Sequence, residues 1–211
     1  MAQRAANQCV SGLYGAIASK SLIAVFAVLM PLQDAQHVHA ASQNLYDAKT
    51  GYRIKHYRSA VPTDVPGGTL VDIDTVDALR TNDNAILIDV MPATGFGYSP
   101  KTGKWRLSQV HDHIEGSAWL PDVGRGHITD ELETYFKSNL DRLTNGNKAQ
   151  PLIIYCQSDC WMAWNAVQRA AKYGYTKLYW YPDGIDGWRD YDRELIPAKA
   201  IPVDVIKSKT K

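Results

Sequence analysis

Four short runs rich in apolar residues, separated by helical or polar segments, constrain most strongly what this 211-residue chain can fold into. The runs cover residues 85–90, 116–120, 151–155 and 177–181. Short apolar runs bounded by turn residues are typical of strands in a parallel sheet, because both faces of such a sheet are covered. The sequence therefore predicts a sheet whose strands are joined by crossover segments.

The segments between these runs have helical character. Residues 74–80 predict a short capped helix, and residues 130–143 place apolar side chains at helical intervals. Asp130 and Glu133 have the spacing of a capping box, and the apolar pattern ends at Asn145-Gly146. A third helix is expected after residue 160, with its apolar face formed by Trp164, Val167, Ala170 and Ala171.

This alternation predicts an α/β three-layer fold, with a central parallel sheet and helices on both faces. Ligands in such folds bind outside the carboxyl ends of the strands. Asp89 ends one predicted strand and Cys156 follows another, so we expect the chemistry at this edge. The long connection 91–112 is expected to be functional or mobile. Asp183 and Asp186 are expected to be turn or helix-capping residues.

The first forty residues predict a secretory signal peptide cleaved near Ala40. The apolar run 21–30 follows a polar start that contains Arg4 and Lys20, and Val38-His39-Ala40 gives a small-residue cleavage pattern. An uncleaved membrane anchor is the alternative, but the run is shorter than the roughly 20 residues that span a bilayer. We therefore expect an exported, periplasmic protein with no membrane attachment after cleavage.

The mature chain is expected to hold an extended lead-in at 41–68, one domain at 69–195 and a tail at 196–211. The chain has 23 Lys and Arg against 22 Asp and Glu, which gives a net charge of +1. A balance so close to neutral excludes nucleic-acid binding by bulk charge. We expect no bound cofactor, and the sequence does not fix the oligomeric state.

Cysteine usage gives the sharpest chemical prediction. Cys9 lies in the predicted leader, so an exported chain keeps only Cys156 and Cys160. Their five-residue loop removes little unfolded-state entropy, which favours redox or nucleophilic chemistry over a structural bridge. A thiolate at Cys156 would lie where a strand opens into a helix, and we expect it to be exposed and ionisable, although Asp159 opposes this.

Several roles for the pair remain open. Four residues of separation bring the two α-carbons to about 6 Å, within reach of a disulfide. Cys160 could resolve a persulfide or sulfenic acid on Cys156, or the pair could cycle between dithiol and disulfide with a partner. The alternatives are a permanent clip, an inert buried Cys156, and a Cu(I) site completed by Met162 with His111 or His113, although we predict no metal site.

Other side chains are candidates for binding. Trp161 lies next to the thiol and could form an apolar lid, and Trp105 on the long loop is a similar candidate. His111 is a candidate base, with a solvated loop histidine as the alternative. Trp164 and Trp188 are expected in an aromatic core. The full candidate binding set is Asp89, Trp105, His111, Gln157, Ser158, Asp159 and Trp161.

Five landmarks, taken in order and spacing, resemble those of rhodanese-like domains. They are Ile88-Asp89-Val90, His113-Ile-Glu-Gly116, Leu152-Ile-Ile-Tyr-Cys156, Tyr173-Gly-Tyr175 and Asp183-Gly-Ile-Asp-Gly-Trp188. Within that superfamily, Cys156-Gln-Ser-Asp-Cys160-Trp161 is similar to the exported PQQ-dependent catabolism-associated CXXCW motif family.

The resemblance implies that Cys156 occupies the position of the sulfur-carrying nucleophile, in a loop whose amides point inward. It also implies a structural hydrogen bond from His113. Three positions depart from the usual pattern, because Asp159 replaces a Gly and Trp161 and Met91 each replace an Arg. We therefore expect a pocket that binds thiosulfate, a dianion, less well than a typical sulfurtransferase site.

The sequence thus predicts sulfur-transfer or thiol-disulfide redox chemistry by Cys156 and Cys160. By resemblance, the expected partner is a PQQ-dependent dehydrogenase of an alcohol-oxidation system, or a periplasmic thiol protein. The alternative is a non-catalytic rhodanese-like module that binds a periplasmic quinoprotein or a small ligand through Trp105 and Trp161. The sulfur donor and the partner's identity are not readable from the chain.

Overall fold

Five short parallel strands form the central sheet in the computed structural model, which describes residues 45–204. In chain order the strands of the protein are β1 (Thr69–Leu70), β2 (Ile86–Asp89), β3 (Gly95–Tyr98), β4 (Trp105–Leu107), β5 (Asp112–His113), β6 (Ala118–Trp119), β7 (Leu152–Tyr155), β8 (Leu178–Tyr181) and β9 (Ile196–Pro197). The sheet has the order β1-β8-β7-β2-β6. The predicted parallel sheet is confirmed, and the predicted signal peptide lies outside the described residues.

Four helices accompany the sheet in the described part of the chain: α1 (Ile73–Asn82), α2 (Asp130–Leu143), α3 (Trp161–Lys172) and α4 (Gly184–Asp190). Asp72 caps α1 by accepting from the amide of Thr75, and Thr129 caps α2 by accepting from Leu132. The cap of α2 is thus one residue earlier than the predicted Asp130. The segment 182–187, predicted as a turn, enters the short helix α4 instead.

Two apolar layers hold the helices on opposite faces of the sheet. One contains Tyr135, Phe136 and Leu140 of α2 together with most of α3. The other contains Ile73, Val76 and Leu79 of α1 with Ile185 and Trp188 of α4. Alternate residues of the central strands point into the two layers, since Ile154 belongs to the first and Ile153 to the second. The three-layer α/β fold predicted from the sequence is confirmed.

Two small antiparallel pairs extend the fold beyond the sheet. β3 and β4 form a hairpin inside the connection 91–112, which the sequence did not predict. β5 pairs with β9, and the amides of Ile201 and Val203 donate to the carbonyls of Trp119 and Gly103. Residues 196–204 of the predicted tail are thus tied to the domain. Between residues 45 and 204, the helices are too short or too polar to cross a bilayer.

Part of the predicted extended lead-in packs against α3. We call residues 53–60 the strap. The side chain of Asn165, which is fully buried, accepts from the amide of Arg53 and donates to its carbonyl, both at 2.8 Å. Further along, Arg58 forms an antiparallel bridge with Cys160. The strap therefore runs directly over the start of α3 and the second cysteine.

Candidate functional site

The predicted site residues Asp89 and Cys156 lie together at the carboxyl edge of the sheet. Asp89 is the last residue of β2 and pairs in register with Tyr155, the last residue of β7. Cys156 follows directly, and the loop 157–159 leads to Cys160, the N-cap residue of α3. The parallel strands thus bring the acid and the cysteine loop together, as the sequence predicts.

Cys156 and Cys160 are joined by a disulfide, with their α-carbons 6.2 Å apart. The predicted proximity is therefore confirmed. The expected exposed thiolate at Cys156 is wrong for this state, because Cys156 has 0% and Cys160 only 3% of its surface accessible. Cys156 is buried because it continues the central strand β7 and packs in the same apolar layer as Ile154.

Met91 touches the disulfide. Its Sδ lies 3.4 Å from Sγ of Cys156, and its side chain is partly exposed. The backbone of Met91 is fixed on both sides, because its amide donates to Oδ1 of Asp89 and its carbonyl accepts from the indole of Trp119, both at 2.8 Å. The resemblance to rhodanese-like domains implies an Arg at position 91. The structure instead places the thioether of Met91 against the disulfide.

The second oxygen of Asp89 bonds to His111. Nε2 of His111 lies 2.5 Å from Oδ2 of Asp89, which is fully buried, and the imidazole packs on Trp119 with ring centroids 4.4 Å apart. The side chain of His111 is only 11% exposed, so it is not a solvated loop histidine. Asp89 and His111 therefore form a buried pair, and Asp89 in turn holds Met91, the residue next to the disulfide.

His113 lies beside this pair, with the two imidazole centroids 6.5 Å apart. Burial lowers the pKa of His113, and the nearby carboxylate of Asp89 only partly offsets this. Within residues 45–204, Nδ1 of His113 is buried without a hydrogen-bond partner. The structural hydrogen bond expected from the resemblance is thus not made by this nitrogen, and burial disfavours the charged form of His113.

The loop between the cysteines uses its amides internally. The amide of Ser158 donates to Oδ2 of Asp186 at 3.1 Å, and the hydroxyl of Ser158 donates to the carbonyl of Asp183. Gln157 is partly buried and bridges Gly184, where an added Cβ would collide with the carbonyl of Cys156. Asp159 is exposed in a left-handed conformation at the loop tip, with φ of 54°.

Asp186 was not predicted as a site residue, because its partner Ser158 lies 28 positions earlier in the chain. The Asp183-Gly-Ile-Asp-Gly187 segment was the only sequence signal that pointed to it. Asp183 was expected to cap a helix; it occupies the N-cap position of α4 but makes no side-chain cap bond. The carboxylate of Asp186 accepts the hydrogen bond of the Ser158 amide, so this amide is not available to an anionic substrate.

Trp161 is covered by the chain itself. Its indole N–H lies within 3.0–3.2 Å of the hydroxyl and carbonyl of Ser59 and the carbonyl of Ala60. The guanidinium of Arg53 lies 4.5 Å from the ring, and Trp161 is 6% exposed. The structure thus presents Trp161 to the strap and not to a ligand, which differs from the predicted lid. The predicted core positions of Trp164 and Trp188 are confirmed.

The strap also engages the cysteine loop through its backbone. The amide of Trp161 donates to the carbonyl of Tyr57 at 2.9 Å, and the amide of Ser59 donates to the carbonyl of Asp159 at 3.1 Å. A second amide of the expected anion cradle is therefore paired within the protein. The sequence did not predict this contact, because it joins segments about one hundred residues apart.

Trp105 lies on the β3–β4 hairpin, away from the cysteine loop. Its indole donates to the carbonyl of Ile201, and its ring contacts Tyr98 and Tyr135. A cavity of about 530 Å³ beside this hairpin is lined by Tyr98, Pro100, Asp130, Glu131, Thr134, Tyr135, Ser138, Val203 and Asp204. Since none of these residues belongs to the cysteine loop, the structure does not combine Trp105 with the disulfide in one site.

The Cu(I) ligand set considered from the sequence is not assembled. His111 bonds to Asp89, and the methionine sulfur at the cysteines belongs to Met91 and not to Met162. Among residues 45–204, no group of three or more His, Cys, Asp and Glu side chains is arranged to hold a metal ion. This arrangement supports thiol-disulfide chemistry at the Cys156–Cys160 disulfide.

The family model of the rhodanese-like domain matches residues 72–191. Among solved structures, the chain is similar to a full-length protein from Lactobacillus plantarum, with 14% identity, a TM-score of 0.40, and coverage of 79% of this chain and 98% of that one. It is also similar to the polysulfide-sulfur transferase from Wolinella succinogenes, with 16% identity, a TM-score of 0.38, and coverage of 62% and 79%. A rhodanese-like domain from Anabaena gives 13% identity, a TM-score of 0.38, and coverage of 67% and 84%. No curated protein matches the chain.

Proposed function

Because this chain belongs to the rhodanese-like domain family, whose members include sulfur-transfer proteins, we propose that it performs thiol-disulfide exchange with Cys156 and Cys160 as its redox pair. The observation that carries this proposal is the disulfide between these residues at the carboxyl edge of the sheet. The family's nucleophile position is thus already joined to a second cysteine, the bond that a dithiol-disulfide cycle makes and breaks.

The surroundings of the pair favour exchange with thiols over sulfur transfer from thiosulfate. The amides of Ser158 and Trp161 are paired with Asp186 and Tyr57. The position that would supply a cation carries Met91, which is uncharged. A dianion would therefore meet carboxylates and paired donors, whereas an uncharged thiol meets no such barrier.

We assign the reacting sulfur of the disulfide to Cys160. It is the N-cap residue of the 12-residue helix α3 and makes no side-chain cap bond. A thiolate at a helix N-terminus is stabilised by the helix dipole, so Cys160 is a good leaving group in the second step, when the mixed disulfide on Cys160 is resolved. Cys160 is also the cysteine with measurable exposed surface, 3% against 0% for Cys156.

The reaction would proceed in two exchange steps. A thiolate of a partner dithiol attacks Sγ of Cys160, the bond to Cys156 breaks, and Cys156 leaves as a thiolate that takes up a proton. The second partner thiolate then attacks the partner sulfur of the mixed disulfide and releases Cys160. The partner is oxidised to a disulfide and the domain gains two electrons and two protons.

Export and the partner belong to the same proposal. The cleavage pattern before residue 41 and the Cys-Trp motif at 160–161 support a periplasmic location. In that compartment we propose that the partner is a periplasmic thiol protein, in a system that serves a PQQ-dependent dehydrogenase. Oxidising conditions there would maintain the disulfide between cycles.

The test is a trapping experiment on the full-length chain with Cys9 replaced by Ser. Cys156→Ser and Cys160→Ser variants are offered an activated aromatic disulfide that reports attack by a free thiol, and mixed disulfides are quantified by mass spectrometry. We expect Cys156→Ser, which keeps Cys160, to react at least about tenfold faster than Cys160→Ser, because the helix end favours its thiolate. Equal rates, or wild-type protein that a dithiol does not reduce while it stays folded, would contradict the proposal.

The burial of both sulfurs favours one alternative, a non-catalytic binding module in which the disulfide is a permanent clip. The same wild-type measurement separates the two functions. A clip stays oxidised in dithiol under native conditions, and the protein then captures a periplasmic quinoprotein without turnover. An exchange protein is reduced at positions 156 and 160 and oxidises the dithiol in equal amount.

A further inference from the structure

Three sulfur atoms meet at the carboxyl edge of the sheet. Sγ of Cys156 is bonded to Sγ of Cys160 and lies 3.4 Å from Sδ of Met91. The two cysteine sulfurs become thiols when the disulfide is reduced. The third sulfur, the thioether of Met91, takes no part in the exchange steps proposed above. We propose that the reduced protein binds one Cu(I) ion through Cys156, Cys160 and Met91.

The chemistry of the three donors selects the metal. Two thiolates and a thioether are soft ligands, which favour Cu(I) over hard cations such as Mg²⁺ or Ca²⁺. With metal–sulfur bonds of about 2.3 Å, two sulfurs that share an ion lie no more than roughly 4.6 Å apart. The 3.4 Å between Met91 and Cys156 falls within this limit. Binding would release the thiol protons and leave the oxidation state of copper unchanged.

Met91 is held in place for this role by its backbone. Its amide donates to Asp89 and its carbonyl accepts from the indole of Trp119. Asp89 is in turn bonded to His111 at 2.5 Å, so the residues behind Met91 form a fixed support. Supporting contacts of this kind orient metal ligands and tune their affinity.

Access to the site would come from the side of Met91. Both cysteines are buried in the oxidised protein, whereas Met91 is partly exposed. The surroundings are otherwise apolar, because Cys156 and Cys160 lie in the same buried cluster as Trp161 and Met162.

This inference rests on the proposed function only in requiring that the disulfide can be reduced. The experiment therefore begins with full-length Cys9→Ser protein reduced anaerobically by a phosphine, and counts free thiols at positions 156 and 160 by alkylation. Cu(I) is then supplied from a chromophoric chelator, and its transfer to the protein is followed by absorbance. Two free thiols with no copper transfer overturn the copper site alone, whereas no free thiols overturn both proposals.

Three variants decide which sulfurs bind. We expect one Cu(I) per reduced chain, lost in Cys160→Ser and weakened by at least about tenfold in Met91→Leu, a change of similar size that keeps the apolar contact. Met162→Leu is the matched control and should bind as wild type. X-ray absorption should find three sulfur ligands in wild type and two in Met91→Leu. Equal affinity of Met91→Leu and wild type, or unchanged sulfur coordination, overturns the role of Met91.

Discussion

The amide of Ser158 donates to the carboxylate of Asp186, 3.1 Å away, so a group that could bind a substrate anion already has an internal anion as its partner. Asp186 is partly exposed, and within residues 45–204 its one ion pair is a long one, 3.9 Å, with Arg189. Its negative charge therefore acts on the loop with little compensation. The carboxylate of Asp186 is thus one of the features, with Asp159, Met91 and the paired amide of Trp161, that disfavour anionic sulfur donors at this loop.

Asp186→Asn should increase the reaction of the reduced protein with thiosulfate. The amide oxygen still accepts from Ser158, but the charge is gone, and a repulsion of about 1 kcal/mol corresponds to roughly a fivefold change in anion binding. The measurement is the fraction of Cys156 that gains a sulfur atom, followed by mass spectrometry. Asp190→Asn, a change at an exposed position of the same helix, is the control and should have no effect. Equal gains in both variants would contradict the role of Asp186.

His113 gives a prediction about pH. Burial lowers its pKa from the ordinary value of 6.5, while Asp89 raises it and His111 lowers it further. The unfolded chain therefore binds more protons than the native state below pH 6.5. Stability should be fully present above pH 6.5 and decrease as the pH falls through the lowered native pKa, by at most about 1.4 kcal/mol per pH unit.

The comparison is between wild type and His113→Gln, by urea unfolding from pH 5 to 8. Glutamine does not titrate, so we expect the variant to show a flatter dependence of unfolding free energy on pH over this range. His56→Gln serves as the control, because that side chain is exposed. If wild type and His113→Gln have the same slope, burial of a neutral imidazole does not govern this part of the pH dependence.

Among single residues, the sequence locates the cysteine pair and the nearby acid but not their surroundings. Asp89, Cys156 and Cys160 were predicted because their positions follow from strand ends and from a spacing of four residues. Met91 was expected at the pocket only as the replacement of a cation, and neither its contact with Cys156 nor the bond from Ser158 to Asp186 was predicted, because those contacts join positions 65 and 28 residues apart. Exposure of Cys156 was predicted wrongly for the same reason, since the groups that cover it are distant in sequence.

At the scale of elements, the strap connects the region before the family match to the redox pair. Its bridge to Cys160 and the bonds of Trp161 to Ser59 cover the start of α3. Asn165 anchors the strap at Arg53 and also donates to the carbonyl of Gly124. We expect an attacking thiol to reach Cys160 when these contacts open, so the strap should set the rate of reduction.

Asn165→Ala should loosen the strap and speed reduction of the disulfide. The change leaves the buried amide and carbonyl of Arg53 without partners, at a combined cost of about 3 kcal/mol. If that cost falls on the closed state of the strap, the rate of reduction by a dithiol rises by up to roughly 100-fold. The measurement is alkylation of Cys156 and Cys160 over time, together with limited proteolysis of residues 53–60.

Gln168→Ala is the control for this prediction. Gln168 is also a buried amide side chain of α3, but its bond is to the carbonyl of Trp164 within the same helix. We expect a small loss of stability and an unchanged rate of reduction. A rate that rises equally in both variants would mean that global unfolding, and not release of the strap, exposes the disulfide.

Elements with strong periodicity were predicted and weakly patterned ones were not. The helices near residues 74–80 and 130–143 follow from apolar spacing and capping residues. The β3–β4 hairpin has strands of four and three residues with two glycines in the first, so its pattern is too short to recognise. The sequence predicts a turn at 182–187 because Gly184 and Gly187 disfavour helices, but packing of Ile185 and Trp188 in the core overrides this preference.

At the scale of the whole molecule, stability comes from the sheet and its two apolar layers, and the disulfide lies at their edge. The two layers contain the central strands and all the longer helices of the described chain. The disulfide closes a loop with a sequence separation of only four residues. The fold should therefore survive reduction, which a protein that cycles between dithiol and disulfide requires.

Reduction should lower the unfolding free energy by about 2 kcal/mol, the loop-entropy value for a bridge that closes about five residues. For a domain of this size that change corresponds to a decrease of roughly 4–8 °C in Tm. The measurement is calorimetry of the same Cys9→Ser protein, oxidised and reduced. Cys156→Ala combined with Cys160→Ala is the control, and its Tm should not respond to the reductant. Loss of the native near-UV circular dichroism on reduction would contradict this prediction, because the bridge would then hold the fold together and could not be opened in each cycle.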